Sequence, residues 1–157
     1  MKFFISHKQQ DAIIAKKIAL LLQLKGIDCY LDLLDPTISG DGEKLTEHIK
    51  DALKSCTDII VVVSEKTRLS QWVFFEVGMA ARTDMPTVTF LQEEVELPEF
   101  LSYWPRLKKL NDLDVYLKIR KSTHAQMVLK YGSHVVASSY QEMETRTFYA
   151  NLKKELR

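Results

Sequence analysis

One carboxylate stands where its surroundings argue against it. From Trp72 to Ala81 the chain reads Trp-Val-Phe-Phe-Glu-Val-Gly-Met-Ala-Ala, so Glu76 is the lone charge in an apolar stretch of helical character. It follows Trp72 by four residues, which places both on one helix face. A helix so apolar all round is largely buried. Burying a carboxylate without a partner costs several kcal/mol or drives its pKa upward, so something must compensate it. From spacing alone the economical account is structural: an ion pair with Arg68 or Arg82, or a helix end that reaches water. The alternative is a functional carboxylate.

The elements that position Glu76 alternate in type. Phe3-Phe4-Ile5, Cys29-Tyr30-Leu31, Ile59-Ile60-Val61-Val62-Val63 and Thr87–Leu91 read as strands. Between them, Ile14, Ile18, Leu21 and Leu22 recur at helical spacing up to Gly26. Leu45, Ile49, Ala52, Leu53 and Cys56 follow one another at offsets of 4, 7, 8 and 11, and Trp72–Arg82 forms a third helix. The β-branched run at Ile59–Val63 suits a central strand covered on both faces. The order βαβαβαβ predicts an α/β fold: a flavodoxin-like, doubly wound, mainly parallel five-stranded sheet with helices on both faces. Residues 92–138 read as irregular, with a fifth short strand near Leu107–Leu110 and a helical stretch at Asp112–Lys121. Ser139-Tyr140-Gln141-Glu142 has the form of a capping box, and a final helix spans about 139–156 through Phe148, Leu152 and Leu156.

In such sheets ligands bind beyond the carboxyl ends of the strands. That rule selects Ser6–Gln10, Asp32–Gly42 and Ser64–Gln71, which offer Ser6, His7, Asp32, Asp35, Ser64, Ser70 and, one turn into the helix, Glu76. Several chemistries drop out. His7, His48, His124 and His134 lack zinc-site spacing, and no serine sits in a nucleophile-elbow glycine pattern. The first loop, Ser6-His7-Lys8-Gln9-Gln10, has no glycine to cradle a dinucleotide in the Rossmann manner. A phospho-acceptor domain would need acidic residues where Ser6-His7 and Ser64 stand.

Composition narrows the class further. The chain has 157 residues, of which 46% are hydrophobic, and 22 Lys and Arg against 21 Asp and Glu leave a net charge of +1. That length suits one domain, residues 1–157. The charge balance lacks the basic footprint of a nucleic-acid or anionic-lipid binder. No apolar run approaches the ~20 residues of a membrane span, and the apolar start at Met1–Ile5 stops too early for a signal peptide. The reading is a cytoplasmic protein with no nucleic-acid or membrane partner and no metal. Cys29 and Cys56 are expected to be reduced and buried.

Taken in order, Phe4-Ile5-Ser6-His7 with Asp11, then Tyr30-Leu31-Asp32, then a strand ending in Ser64, then Ser70-Gln71-Trp72-Val73-Phe74-Phe75-Glu76, resemble a TIR domain, strongly over residues 2–90. Phe148-Tyr149 resembles the aromatic pair near the family's C-terminus, with Tyr149 where Trp is usual. Some TIR domains are adaptors that assemble through a loop like Asp32–Gly42. Others cleave NAD+ at the nicotinamide–ribose bond with the Glu of an S-x-W-x-x-x-E motif, here Glu76. The resemblance implies Glu76 as the catalytic residue, with Ser6, His7, Asp32, Ser70 and Trp72 lining the substrate cleft. NAD+ is then substrate, with no separate cofactor. With its first strand at the start and its last helix at the end, the chain is expected to hold a single TIR domain and no second one. It resembles stand-alone bacterial TIR proteins of the Thoeris anti-phage type, which make a cyclic ADP-ribose isomer or related nucleotide for a separate effector. Self-association through TIR surfaces is expected. The runner-up is a non-enzymatic interaction module; a nucleoside deoxyribosyltransferase-like enzyme is a weaker third.

Overall fold

The computed structural model describes residues 1–31, 42–91, 95–132 and 137–157, the first two of the last segment by backbone alone. The loop 32–41, with Asp32 and Asp35, therefore lies outside the described residues. Five parallel strands, β1 (Lys2–Ser6), β2 (Asp28–Leu31), β3 (Asp58–Val62), β4 (Thr87–Phe90) and β5 (Arg106–Leu107), lie in the order β2-β1-β3-β4-β5. The helices are α1 (Ala12–Leu24), α2 (Gly42–Lys54), α3 (Gln71–Arg82), α4 (Asp112–Tyr131) and α5 (Ala137–Glu155). This is the expected flavodoxin-like arrangement, with every strand pair parallel.

Two cores follow from the pleat, because successive strand residues face opposite sides. Phe3, Ile5, Ile60 and Val62 pack with Ile18 and Leu22 of α1, Tyr116 of α4 and Phe148 and Leu152 of α5. Phe4, Ile59 and Val61 pack on the other face with Ile49 and Leu53 of α2 and Val73 and Val77 of α3. Hence β1 and β3, apolar on both sides, run through the middle of the sandwich. Gly26, at φ 71°, makes the left-handed turn between α1 and β2 that its position after the periodic run predicts.

The C-terminal half departs from the sequence reading. The segment read as irregular holds a 3₁₀ turn at Glu99–Tyr103 and a helix α4 that continues to Tyr131, well past Lys121. β5 lies at Arg106–Leu107, one residue ahead of the expected strand. α5 starts at Ala137, so Ser139 falls inside the helix and does not cap it. The long α4 is held both by apolar packing of Leu113, Tyr116 and Leu117 and by polar contacts. Buried Asp58, at the start of β3, accepts hydrogen bonds from Tyr116 Oη (2.6 Å) and Arg120 Nε (3.0 Å). Arg120 also pairs with Glu144 of α5, whose carboxylate lies 3.2 Å from His124 Nδ1. Cys56 is buried as expected, whereas Cys29 is only partly so; desolvation raises both thiols, Cys29 to about 11.

Tyr149 has a structural role of its own. Its hydroxyl accepts the Thr87 backbone N–H at 2.8 Å, tying α5 to the start of β4. Burial pushes the phenol up to about 12, so it stays protonated. Tyr149→Phe leaves a buried N–H unpaired and is expected to cost about 1–3 kcal/mol in denaturant unfolding. An unchanged midpoint would mean that water replaces the hydroxyl.

Candidate active site

Parallel strands open all their carboxyl ends at one edge, and the register sets Ser6 of β1 beside Val61 of β3. The segments that follow them, His7–Gln10 and Lys66–Trp72, face each other across a cleft of about 790 Å³. That is the size of a pocket for a nucleotide-sized molecule. Thr67 joins the two walls. Its hydroxyl donates to the carboxylate of Asp11, on the far side of the β1 loop, and accepts the Ser64 N–H at 2.9 Å. Asp11 and Thr67 are both buried, so this bridge is shielded from water.

α3 begins at the cleft. Ser70 is its N-cap, accepting the Val73 N–H at 3.4 Å, and the same residue lines the cleft. Trp72, in the first turn, has a double role: it lines the cleft and packs against the core on the α2 and α3 face. One turn further on, Glu76 has 0% exposure, and its Oε2 accepts a hydrogen bond from Ser6 Oγ. Arg68, considered above as its ion-pair partner, instead meets Glu65 at 2.8 Å, and Arg82 lies exposed in the last turn of α3. The carboxylate is thus answered by a hydroxyl at the end of a central strand.

His7, Ser70 and Trp72 come together on the cleft, while Ser6 and Glu76 lie behind its wall, bonded to each other. Glu76 is bracketed by two cleft residues, Trp72 on its own helix and His7 next to its partner Ser6. His7 is 2% exposed, and its Nδ1 lies 3.1 Å from the Ile5 carbonyl. A carbonyl only accepts, so Nδ1 carries the proton and the neutral ring's lone pair is on Nε2.

The lysines were passed over in the sequence. Lys8 and Lys66 line opposite walls, together with Gln9, Gln10 and Gln71, and no carboxylate lines the cleft among the described residues. In a chain of net charge +1 this is a local cationic field, suited to an anion. They sit in the loops that the strand-end rule selects, so a search of those loops for cations would have found them. A second cavity of about 510 Å³ lies at the amino end of β3 and β4, beside Cys56 and Met85, and shares no residue with this one. Among the described residues, no group of three or more His, Cys, Asp or Glu side chains is placed to hold a metal ion, and no helix is long and apolar enough to cross a membrane.

Compared with known proteins, the chain is matched over residues 3–126, well over half its length, by a family model described as TIR domain. No curated protein matches it.

Thr67→Val keeps the shape of the bridge and removes its hydroxyl, leaving the Ser64 N–H and the Asp11 carboxylate unsatisfied. It is expected to destabilise the fold by about 1–3 kcal/mol. Amide exchange should show the loss at the two cleft loops; protection lost evenly over the sheet would contradict a local bridge.

Proposed function

This chain belongs to the TIR domain family, and from that premise we propose that it cleaves the nicotinamide–ribose bond of NAD+, with Glu76 as the catalytic residue. The observation that carries the proposal is the placement of Glu76: wholly buried, hydrogen-bonded to Ser6, and flanked by two residues of a cationic cleft. A purely structural carboxylate would more economically be an apolar residue, since a desolvated charge costs several kcal/mol.

The chemistry needs one carboxylate. Nicotinamide departs from a cationic pyridinium as a neutral base, so no general acid is required, unlike the carboxyl pair of ordinary glycosidases. Glu76 accepts hydrogen bonds from the ribose hydroxyls in place of Ser6 and stabilises the oxocarbenium-like charge that develops at C1 of the ribose. Out of water, that stabilisation is at its strongest. Ser6 holds the carboxylate until the ribose takes its place, Trp72 and Ser70 wall the substrate, and Lys8 and Lys66 face its diphosphate. Asp32 belongs to the same cleft by resemblance. NAD+ is the substrate and no separate cofactor is needed. The finer reading extends the likeness to Thoeris-type proteins: a cyclic ADP-ribose isomer or related nucleotide, released in the cytoplasm to activate a separate effector in bacterial anti-phage defence.

A non-enzymatic interaction module is the second reading. Ile13, Leu20 and Leu24 of α1, at spacings of seven and four, are 75%, 57% and 75% exposed and form an apolar stripe that suits self-association. The two readings are compatible, because assembly can order an enzymatic site.

Chromatography of the products from NAD+, with concentrated protein, separates them. Glu76→Gln should lower nicotinamide release by at least about 100-fold, the scale of losing one preorganised electrostatic contact. Equal turnover by both proteins would exclude the catalytic role, and the nucleotide peak identifies the product. Lys8→Gln and Lys66→Gln should each raise KM for NAD+ about 10-fold, as expected for a lost charge-assisted contact. KM for nicotinamide riboside, which has no diphosphate, should stay put; parallel changes for both substrates would place the lysines elsewhere.

A further inference from the structure

His7 lines the cleft, and the cleavage step leaves its ring nitrogens unused. In the NAD+-cleaving reading, once nicotinamide has left, C1 of the ribose is attacked by water, a ribose hydroxyl or an adenine nitrogen; where the nucleophile is an O–H group, that oxygen must lose a proton. In this reading Glu76 is already engaged by the ribose hydroxyls, so a capturing nucleophile on the cleft side has a separate proton acceptor available. Among the described residues that line the cleft, lysine ammonium, glutamine amide, serine and threonine hydroxyl and the indole of Trp72 offer no basic lone pair. His7 does. Its Nδ1–H is committed to the Ile5 carbonyl at 3.1 Å, which fixes the tautomer. Nε2, on the opposite edge of the ring, makes no hydrogen bond to any described residue. The ring is 2% exposed, so it is held by packing as well as by that bond.

Building on the NAD+-cleaving reading above, the geometry points to His7 as the general base that deprotonates the capturing nucleophile. The C1–N bond to nicotinamide breaks with its electron pair leaving on nicotinamide. The nucleophile's oxygen forms the new bond to C1, and its proton passes to His7 Nε2, giving an imidazolium that later releases it to solvent. Ser6 and His7, adjacent in sequence, thus divide the work: Ser6 holds the carboxylate before the substrate binds, and His7 serves capture. This division explains why a histidine, and not an apolar residue, occupies a buried place at the end of a central strand.

The variant that isolates the role is His7→Asn, because an asparagine amide can still donate to the Ile5 carbonyl but has no basic lone pair. With capture blocked, the cation returns to nicotinamide. Isotopically labelled nicotinamide should therefore still exchange into NAD+, within about 3-fold of the wild-type rate, while net consumption falls by about 100-fold, the lower range for general-base catalysis. Azide ion, which has no proton to lose, should restore consumption and yield an ADP-ribosyl azide. His7→Gln, which alters the bond to Ile5, should show the same azide rescue. Undiminished net consumption in His7→Asn overturns the proposal, as does failure of azide to rescue either variant when both melt like wild type. Absence of both exchange and consumption in wild type, or full activity of Glu76→Gln, overturns the NAD+-cleaving reading, and the base assignment with it.

Discussion

The arrangement turns on a carboxylate that must live inside an apolar helix. Val73, Val77 and Ala80 of α3 pack against the sheet, and the face that they create carries Glu76 into the interior with them. Its desolvation costs several kcal/mol and has to be offset by a polar group delivered to that spot. The supplier is Ser6, the last residue of β1, whose hydroxyl reaches Glu76 from the end of a central strand. Hydrogen bonds to a charged acceptor are roughly twice as strong as neutral ones, so this contact ties α3 to β1 more firmly than packing alone would.

The rest of the fold holds that contact in register. Parallel pairing of β1 with β3 brings the two cleft loops to one edge, and the Asp11–Thr67–Ser64 bridge sets their separation. At the opposite end, the start of β3 is anchored by Asp58 to Tyr116 and Arg120 of α4, and Arg120 passes the connection to Glu144 of α5. Breaking one partner of such a buried pair costs far more than the pair contributes, because the remaining charge is stranded. The sheet is thus fastened by polar networks at both ends and by two apolar layers between, with the cleft open at the carboxyl edge.

The first half of the chain was legible because its signals are local. Alternating apolar runs, Gly26 after a periodic stretch and Ser70 before one each name an element, and two of the three loops that the strand-end rule selects line one cleft. Beyond residue 92 the organising contacts are long-range and polar. Asp58, Arg120 and Glu144 are far apart in sequence, and no spacing announces that they meet. α4 likewise carries little pattern, so only its first half, Asp112–Lys121, reads as helical. At the site, Glu76 was conspicuous as a charge out of place, but its partner was not: Ser6 lies 70 residues away in sequence, and the candidates by proximity, Arg68 and Arg82, point elsewhere. Lys8 and Lys66 were hidden by the opposite effect, since a lysine in a polar loop is ordinary until the fold sets two of them across one cleft.

In the proposed reaction Glu76 exchanges its serine partner for the ribose of a nicotinamide dinucleotide. A crystal structure with a carbocyclic, non-cleavable NAD+ analogue tests this most directly. The nicotinamide ribose is expected between His7 and Trp72, with its hydroxyls within about 3 Å of the Glu76 carboxylate and its diphosphate between Lys8 and Lys66. An analogue bound away from this cleft, or bound within it while Glu76 keeps its bond to Ser6 and stays out of reach of the sugar, would contradict it.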